Sequence, residues 1–153
     1  MMNLVIEGKK ALIDTNILIY STLEEDPRFD KSYAIVAGAG LEDVELFISV
    51  QNLSEMYPNL TGPRMTIPDT PEIARMKILS IAELPHLTVL PITLEIQREA
   101  LNLCQRYGIV KQRYFDMQLV ATMVTNGIKT ILTENTEDFH GISEVSAVNP
   151  FSS

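Results

Sequence analysis

Apolar residues fall along this chain in short dense runs that alternate with longer stretches of helical spacing. Lys10 to Ile13, Leu46 to Ser49, His86 to Leu90 and Thr130 to Thr133 each read as a short buried strand, and Val145 to Val148 reads as a final edge strand ended by Pro150. Between them lie the helices. Asn16 to Tyr20 opens one that stops near Leu23, before the polar break Glu24-Glu25-Asp26-Pro27. Phe29 to Leu41 offers a second, with Tyr33, Ile35, Val36, Ala37 and Ala39 as its apolar face and Gly38 and Gly40 weakening its end. Val50 to Leu60 places Val50, Leu53, Met56, Tyr57 and Leu60 on one stripe, with Glu55 off it.

Gly62 to Pro71 is irregular, with three prolines and a glycine. Thr70 caps the next helix, Pro71 suits its first position, and the helix runs to Leu84, where Pro85 ends it. A further helix begins at Thr93, turns Leu94, Leu101, Cys104 and Tyr107 to the core, and stops at Gly108. After the basic loop Val110 to Arg113, Tyr114 to Asn126 forms the last long helix, with Met117, Val120, Ala121 and Val124 on one face and Gly127 as its stop. Strands alternating with helices predict an α/β fold: a three-layer α/β/α sandwich around a central parallel sheet.

Composition narrows this. At 153 residues the chain predicts one domain spanning 1–153, long enough for a core without staples, with residues 1–8 as a short N-terminal extension. That extension lacks the basic and apolar segments of a secretory signal, and no apolar run reaches the length of a membrane span. Cys104 is the only cysteine, so a disulfide framework is excluded, and a reducing, cytoplasmic setting is expected. Twelve Lys+Arg against twenty Asp+Glu leave a net charge of −8. Such a balance disfavours broad binding to nucleic acid and suits metal ions or a basic protein partner.

The acids matter more for where they fall than for their number. Asp14 follows the first strand at a strand-to-helix corner, where the carboxyl ends of parallel strands open to ligands. Glu55 lies in the helix after the second strand, Asp116 in the first turn of the last long helix, and Asn135, Glu137 and Asp138 just after the fourth strand. Each also has a structural reading. Asp14, or Thr15 behind it, would serve as an N-cap; Glu55 would be a solvated helix-face glutamate; Asp116 would complement a helix macrodipole. Together they form the oxygen-donor set that a hard cation such as Mg²⁺ or Mn²⁺ requires. No nucleophile elbow, phosphate-cradling glycine loop or dinucleotide fingerprint competes. His86 stands at a strand start with no partner in a ligand spacing and reads as structural.

With these residues in place the chain resembles the PIN domain family. Leu12-Ile13-Asp14-Thr15-Asn16-Ile17-Leu18-Ile19-Tyr20 resembles the family's opening, Glu55 after Ser49 to Ser54 its second acid, and Phe115-Asp116-Met117-Gln118-Leu119-Val120-Ala121-Thr122 its third. Leu132 to Ile142, followed by Val148-Asn149-Pro150-Phe151, is similar to the closing segment of VapC-type toxin ribonucleases. The resemblance implies a PIN-like fold and a Mg²⁺- or Mn²⁺-dependent endoribonuclease, with Asp14, Glu55 and Asp116 as catalytic metal-binding carboxylates and Asn135 or Asp138 completing the site. Asn135 departs from the family as a neutral donor where many relatives carry aspartate.

The same resemblance implies an RNA substrate, a small basic antitoxin and a homodimer built on helices remote from the cleft. Lys111 and Arg113, a few residues before Asp116, become candidate RNA contacts. Two rivals remain. A PIN-like scaffold that binds RNA or protein without cutting would not need three acids. A phosphatase of the haloacid dehalogenase type would want a second acid two residues beyond Asp14, where Asn16 stands.

Overall fold

All five strands carry apolar side chains on both faces, which is what a parallel sheet covered by helices on both sides demands. The computed structural model describes residues 4–152. Strands β1 (Lys10–Ile13), β2 (Glu45–Ser49), β3 (Leu87–Leu90), β4 (Thr130–Leu132) and β5 (Ser146–Val148) form one parallel sheet in the order β3-β2-β1-β4-β5. The helices are α1 (Thr15–Tyr20), α2 (Phe29–Val36), α3 (Val50–Leu60), α4 (Pro71–Ala82), α5 (Leu94–Tyr107) and α6 (Tyr114–Thr125).

Alternation along the strands divides the core in two. Ala11, Ile13, Leu46, Ile48 and Leu132 pack against Ile17 and Leu18 of α1, Ile35 of α2, Met56 of α3 and Ile81 of α4. Leu12, Phe47 and Ile131 point the other way, onto Ile96 and Leu103 of α5 and Met117, Val120 and Met123 of α6. The result is an α/β/α sandwich around a parallel sheet, as the sequence predicts. Among the described residues no helix is long and apolar enough to cross a membrane.

Several boundaries and faces differ from expectation. Helix α1 ends at Tyr20 rather than near Leu23, and α2 ends at Val36 because Gly38 (φ 75°) and Gly40 (φ 77°) carry the chain into the left-handed region. Tyr33 lies outside the core. On α5 the predicted face holds for Cys104 and Tyr107, which pack partly buried against the core, but not for Leu94 and Leu101, which are 68% and 59% exposed, while Ile96, Ala100 and Leu103 are buried. Val124 and Tyr57 are likewise exposed. The basic loop forms a single turn of 3₁₀ helix over Lys111–Arg113.

Of the expected N-terminal extension, residues 1–3 lie outside the described residues, whereas Leu4 and Ile6 pack against the α1–α4 side of the core. His86 has a structural partner, its Nε2–H donating to the Val36 carbonyl across 2.7 Å.

Candidate metal centre

In this strand order the chain reverses direction of travel across the sheet between β1 and β4, so the carboxyl ends of those two strands flank a topological switch point, where open α/β sheets place their ligands. Asp14 leaves β1 there. It caps α1, accepting from the Thr15 backbone N–H at 2.8 Å with Oδ1. That satisfies the capping role with one oxygen. Oδ2 accepts from the Thr133 hydroxyl at 2.8 Å and from the Asn16 amide at 3.4 Å.

Thr133 is the hub of the closing loop. Its Oγ1 also accepts from Asn16 Nδ2 at 3.1 Å and from the Asn135 backbone N–H at 3.0 Å, while the Glu134 N–H donates to Asn16 Oδ1 at 3.1 Å. Asn16 thus braces the β1 and β4 ends together, which is why an amide stands where the phosphatase reading needs an acid. Glu134 is spent elsewhere, accepting from Arg28 and from the Tyr20 hydroxyl, with Arg28 stacked 3.7 Å from the Tyr20 ring centroid.

Glu55 comes from α3, whose first turn is fixed by a reciprocal cap: Ser49 Oγ accepts from Gln51 N–H, and Asn52 Oδ1 accepts from Ser49 N–H. Asn52 then donates to Thr15 Oγ1 at 3.0 Å, and Thr15 donates to Glu55 Oε1 at 2.9 Å. Buried Thr15 therefore links the caps of α1 and α3 and aims the second acid. Asp116 projects from the first turn of α6, as expected.

Asp14, Glu55, Asp116, Asn135 and Asp138 all line one cleft of roughly 270 Å³. Glu137 does not; it lines a separate open hollow beside Phe139 and Ile142. Lys111 and Arg113 are not among the lining residues either. Arg113 sits near the rim, its Nη2 donating to the Asp138 carbonyl at 3.2 Å, and Lys111 is exposed in a left-handed backbone conformation (φ 58°). Among the described residues lining the cleft the one cation is Arg64, from the irregular segment after α3. Sequence reasoning missed Arg64, Thr133 and Asn52. Arg64 had one signal, as the one cation of the proline-rich segment from Gly62 to Pro71; the other two had none without the fold.

The electrostatics are those of too much negative charge in too little water. Burial pushes Asp14 up to about 6, against the lowering effect of its bonds from Thr133 and Thr15, with the charges of Glu55 and Asp138 adding to the rise. Asp116 is also pushed up to about 6, first by burial and then by Asp138 and Asp14, with Arg113 opposing. No three His, Cys, Asp or Glu side chains among the described residues stand already converged on one point. The donor set nonetheless fits a hard divalent cation. Every donor is oxygen, two of the carboxylates are held by named hydrogen bonds, and the crowding that raises Asp14 and Asp116 is what a cation would relieve.

The PIN domain matches residues 11–145 of the chain. No curated protein sequence matches it. Among solved structures it is similar to VapBC-1 from nontypeable Haemophilus influenzae, with a TM-score of 0.64 and 17% identity over 94% of this chain and 99% of that one. It is similar to VapBC2 from Rickettsia felis, bound to a DNA fragment from its promoter, at 0.63 and 15% over 92% and 98%. Mycobacterium tuberculosis VapC20, a sarcin-ricin loop cleaving toxin, superposes at 0.60 with 16% identity over 79% and 86%. At such identities the likeness is one of fold, and the match over residues 11–145 supplies the family: this chain belongs to the PIN domain family.

Proposed function

We propose that this protein is a Mg²⁺- or Mn²⁺-dependent endoribonuclease and the toxin of a toxin–antitoxin pair. The observation that carries the reading is the meeting of Asp14, Glu55, Asp116 and Asp138, with the Asn135 amide, in one cleft at the β1/β4 switch point. In this reading Asp14, Glu55 and Asp116 hold the cation, and Asn135 and Asp138 complete its shell. A divalent cation held there supplies charge stabilisation to a reacting phosphodiester and a more acidic water. The protein's share is positioning. Thr133, Asn16 and the Thr15 N–H fix both oxygens of Asp14, and Thr15 fixes Glu55, so these acids meet a cation with little rotamer freedom left to lose.

RNA is the substrate this reading favours, supported by the fold shared with a sarcin-ricin loop cleaving toxin. An acidic protein needs local cations to approach it. Arg64 in the cleft, with Arg113 and Lys111 beyond the rim, serves that role. The antitoxin reading is supported by the likeness to VapBC assemblies and by the net charge of −8, which suits a small basic partner. An antitoxin arginine laid against Asp14 or Asp116 would compete for the ligand oxygens themselves. A homodimer through helices remote from the cleft completes the proposal.

The test is cleavage of a structured RNA by the purified protein with Mn²⁺ and with EDTA. Internal cuts that need Mn²⁺ are expected. Metal-independent cleavage, or none beside a cation-binding protein, would contradict the reading, the latter in favour of a non-cutting scaffold.

A further inference from the structure

Helix α6 carries Asp116 in its first turn, yet the residue before it, Arg113, makes no side-chain capping bond. Other groups hold that turn in place. The Tyr114 hydroxyl donates to Gln97 Oε1 on α5. Gln97 Nε2 donates to Gln118 Oε1 at 2.7 Å, Gln118 Nε2 to Gln51 Oε1 at 2.9 Å, and Gln51 Nε2 to the Phe115 carbonyl at 2.9 Å. The sequence of donors runs one way and returns to the turn where it began: it leaves α6 at Tyr114 for Gln97 on α5, returns to α6 at Gln118, crosses to Gln51 on α3, and comes back at Phe115, the residue before Asp116.

Gln51 and Gln118 are 6% and 5% exposed, so their amides have little water to fall back on. Gln51 also sits one helical turn before Glu55 on α3, which places both on one face. The ring therefore couples the turn bearing Asp116 to the face bearing Glu55. Its α3 end is itself rigid, because Ser49 Oγ holds the Gln51 N–H at 3.0 Å.

We infer that Gln118 is a positioning residue: the ring Tyr114–Gln97–Gln118–Gln51–Phe115 sets the separation of Asp116 from Glu55 and so the affinity of the site for a divalent cation. The inference rests on the proposed metal site. Gln118 is not among the residues lining the cleft, so its effect must pass through Gln51 and the α6 turn. Replacing it by leucine keeps its bulk, breaks the ring at two bonds and strands the Gln51 oxygen. Second partners that orient metal ligands are worth about 10–100-fold in affinity where they have been removed.

The experiment is calorimetric titration of the full chain with Mn²⁺ alone, alongside thermal unfolding. Gln118→Leu is expected to weaken Mn²⁺ binding about tenfold or more. Tyr114→Phe removes only the first donor of the ring and should weaken it by a smaller factor. Leu103→Ala, a core change on α5 outside the ring, should lower the unfolding midpoint and leave Mn²⁺ affinity unchanged. That pattern separates positioning from loss of stability. A folded Gln118→Leu with wild-type affinity overturns the inference alone. If Gln118→Leu does not fold, wild-type affinity in Tyr114→Phe overturns it. A wild type that takes up no Mn²⁺ overturns the metal site and this inference with it.

Discussion

Thr133, at the end of β4, donates its hydroxyl to Oδ2 of Asp14, at the end of β1, across 2.8 Å and 119 positions of sequence. The same oxygen of Thr133 accepts from the Asn135 N–H, so one hydroxyl ties an acid of the cleft to the loop carrying Asn135 and Asp138.

Removing that hydroxyl should loosen both. Thr133→Ala leaves Asp14 Oδ2 with only the long Asn16 contact and is expected to weaken Mn²⁺ binding about tenfold. Folding stability should fall by about 1 kcal/mol or somewhat more, since a partly buried charged acceptor loses a donor. Thr133→Ser, which keeps the hydroxyl, should restore both. Mn²⁺ titration of the two variants checks this; equal affinity in Thr133→Ala and wild type would show that the bond is structural only.

The metal-free protein should carry a stability penalty that depends on pH. Asp14 and Asp116 hold their protons to about pH 6 in the fold, whereas in the unfolded chain they release them near 3.8. Between those values the unfolded chain binds fewer protons than the native one, so the contribution of these two groups to stability falls as pH rises from about 4 to 6 and stays low above. Asp26, held low by Arg28, slopes the other way, so the difference between variant and wild type is the informative quantity. Asp14→Asn keeps a good capping residue and removes a charge. In EDTA it should be more stable than wild type by about 1–3 kcal/mol at pH 7, with no advantage near pH 4. Denaturant melts across that range read it directly, and an advantage independent of pH would contradict the electrostatic account.

How legible this was in sequence depends on what each residue needs. Strands β1, β2 and β4 are dense apolar runs, and their burial on both faces left few other readings. The acids at Asp14 and Asp116 stand beside element boundaries that capping and turn residues mark. Helix α5 misled because it carries two apolar stripes, Leu94 with Leu101 and Ile96 with Ala100 and Leu103. Only packing against α6 selects between them. Gln51, Asn52 and Thr133 were illegible for a different reason: polar residues are buried when a partner elsewhere satisfies them, and those partners lie on other elements of the fold.

The cations around the cleft should separate in their effect on RNA. Arg64 lines the acidic cleft and makes no ion pair among the described residues, so Arg64→Ala should weaken RNA binding and flatten its salt dependence by about one unit of slope. Lys111→Ala with Arg113→Ala tests the rim, where a change of about one to two units is expected if both residues meet phosphate. Fluorescence titration of RNA at several salt concentrations measures each. A slope unmoved by Arg64→Ala would remove that residue from the substrate path.

An inhibitory partner makes its own demand on the acids. If an antitoxin arginine occupies the cleft, neutralising Asp14 and Asp116 together should loosen the purified complex about a hundredfold or more, since truncating charged pairs at an interface typically costs several kcal/mol. Unchanged affinity in that double variant would place the inhibitor elsewhere.

The most direct measurement is Mn²⁺-dependent cleavage of one RNA by wild type and by Asp14→Asn, side by side, with folding verified for each. Wild type should cut internally and only with the cation, and a folded Asp14→Asn should lose that activity. A folded Asp14→Asn that cuts at the wild-type rate would contradict the assignment of this cleft as the centre of the chemistry.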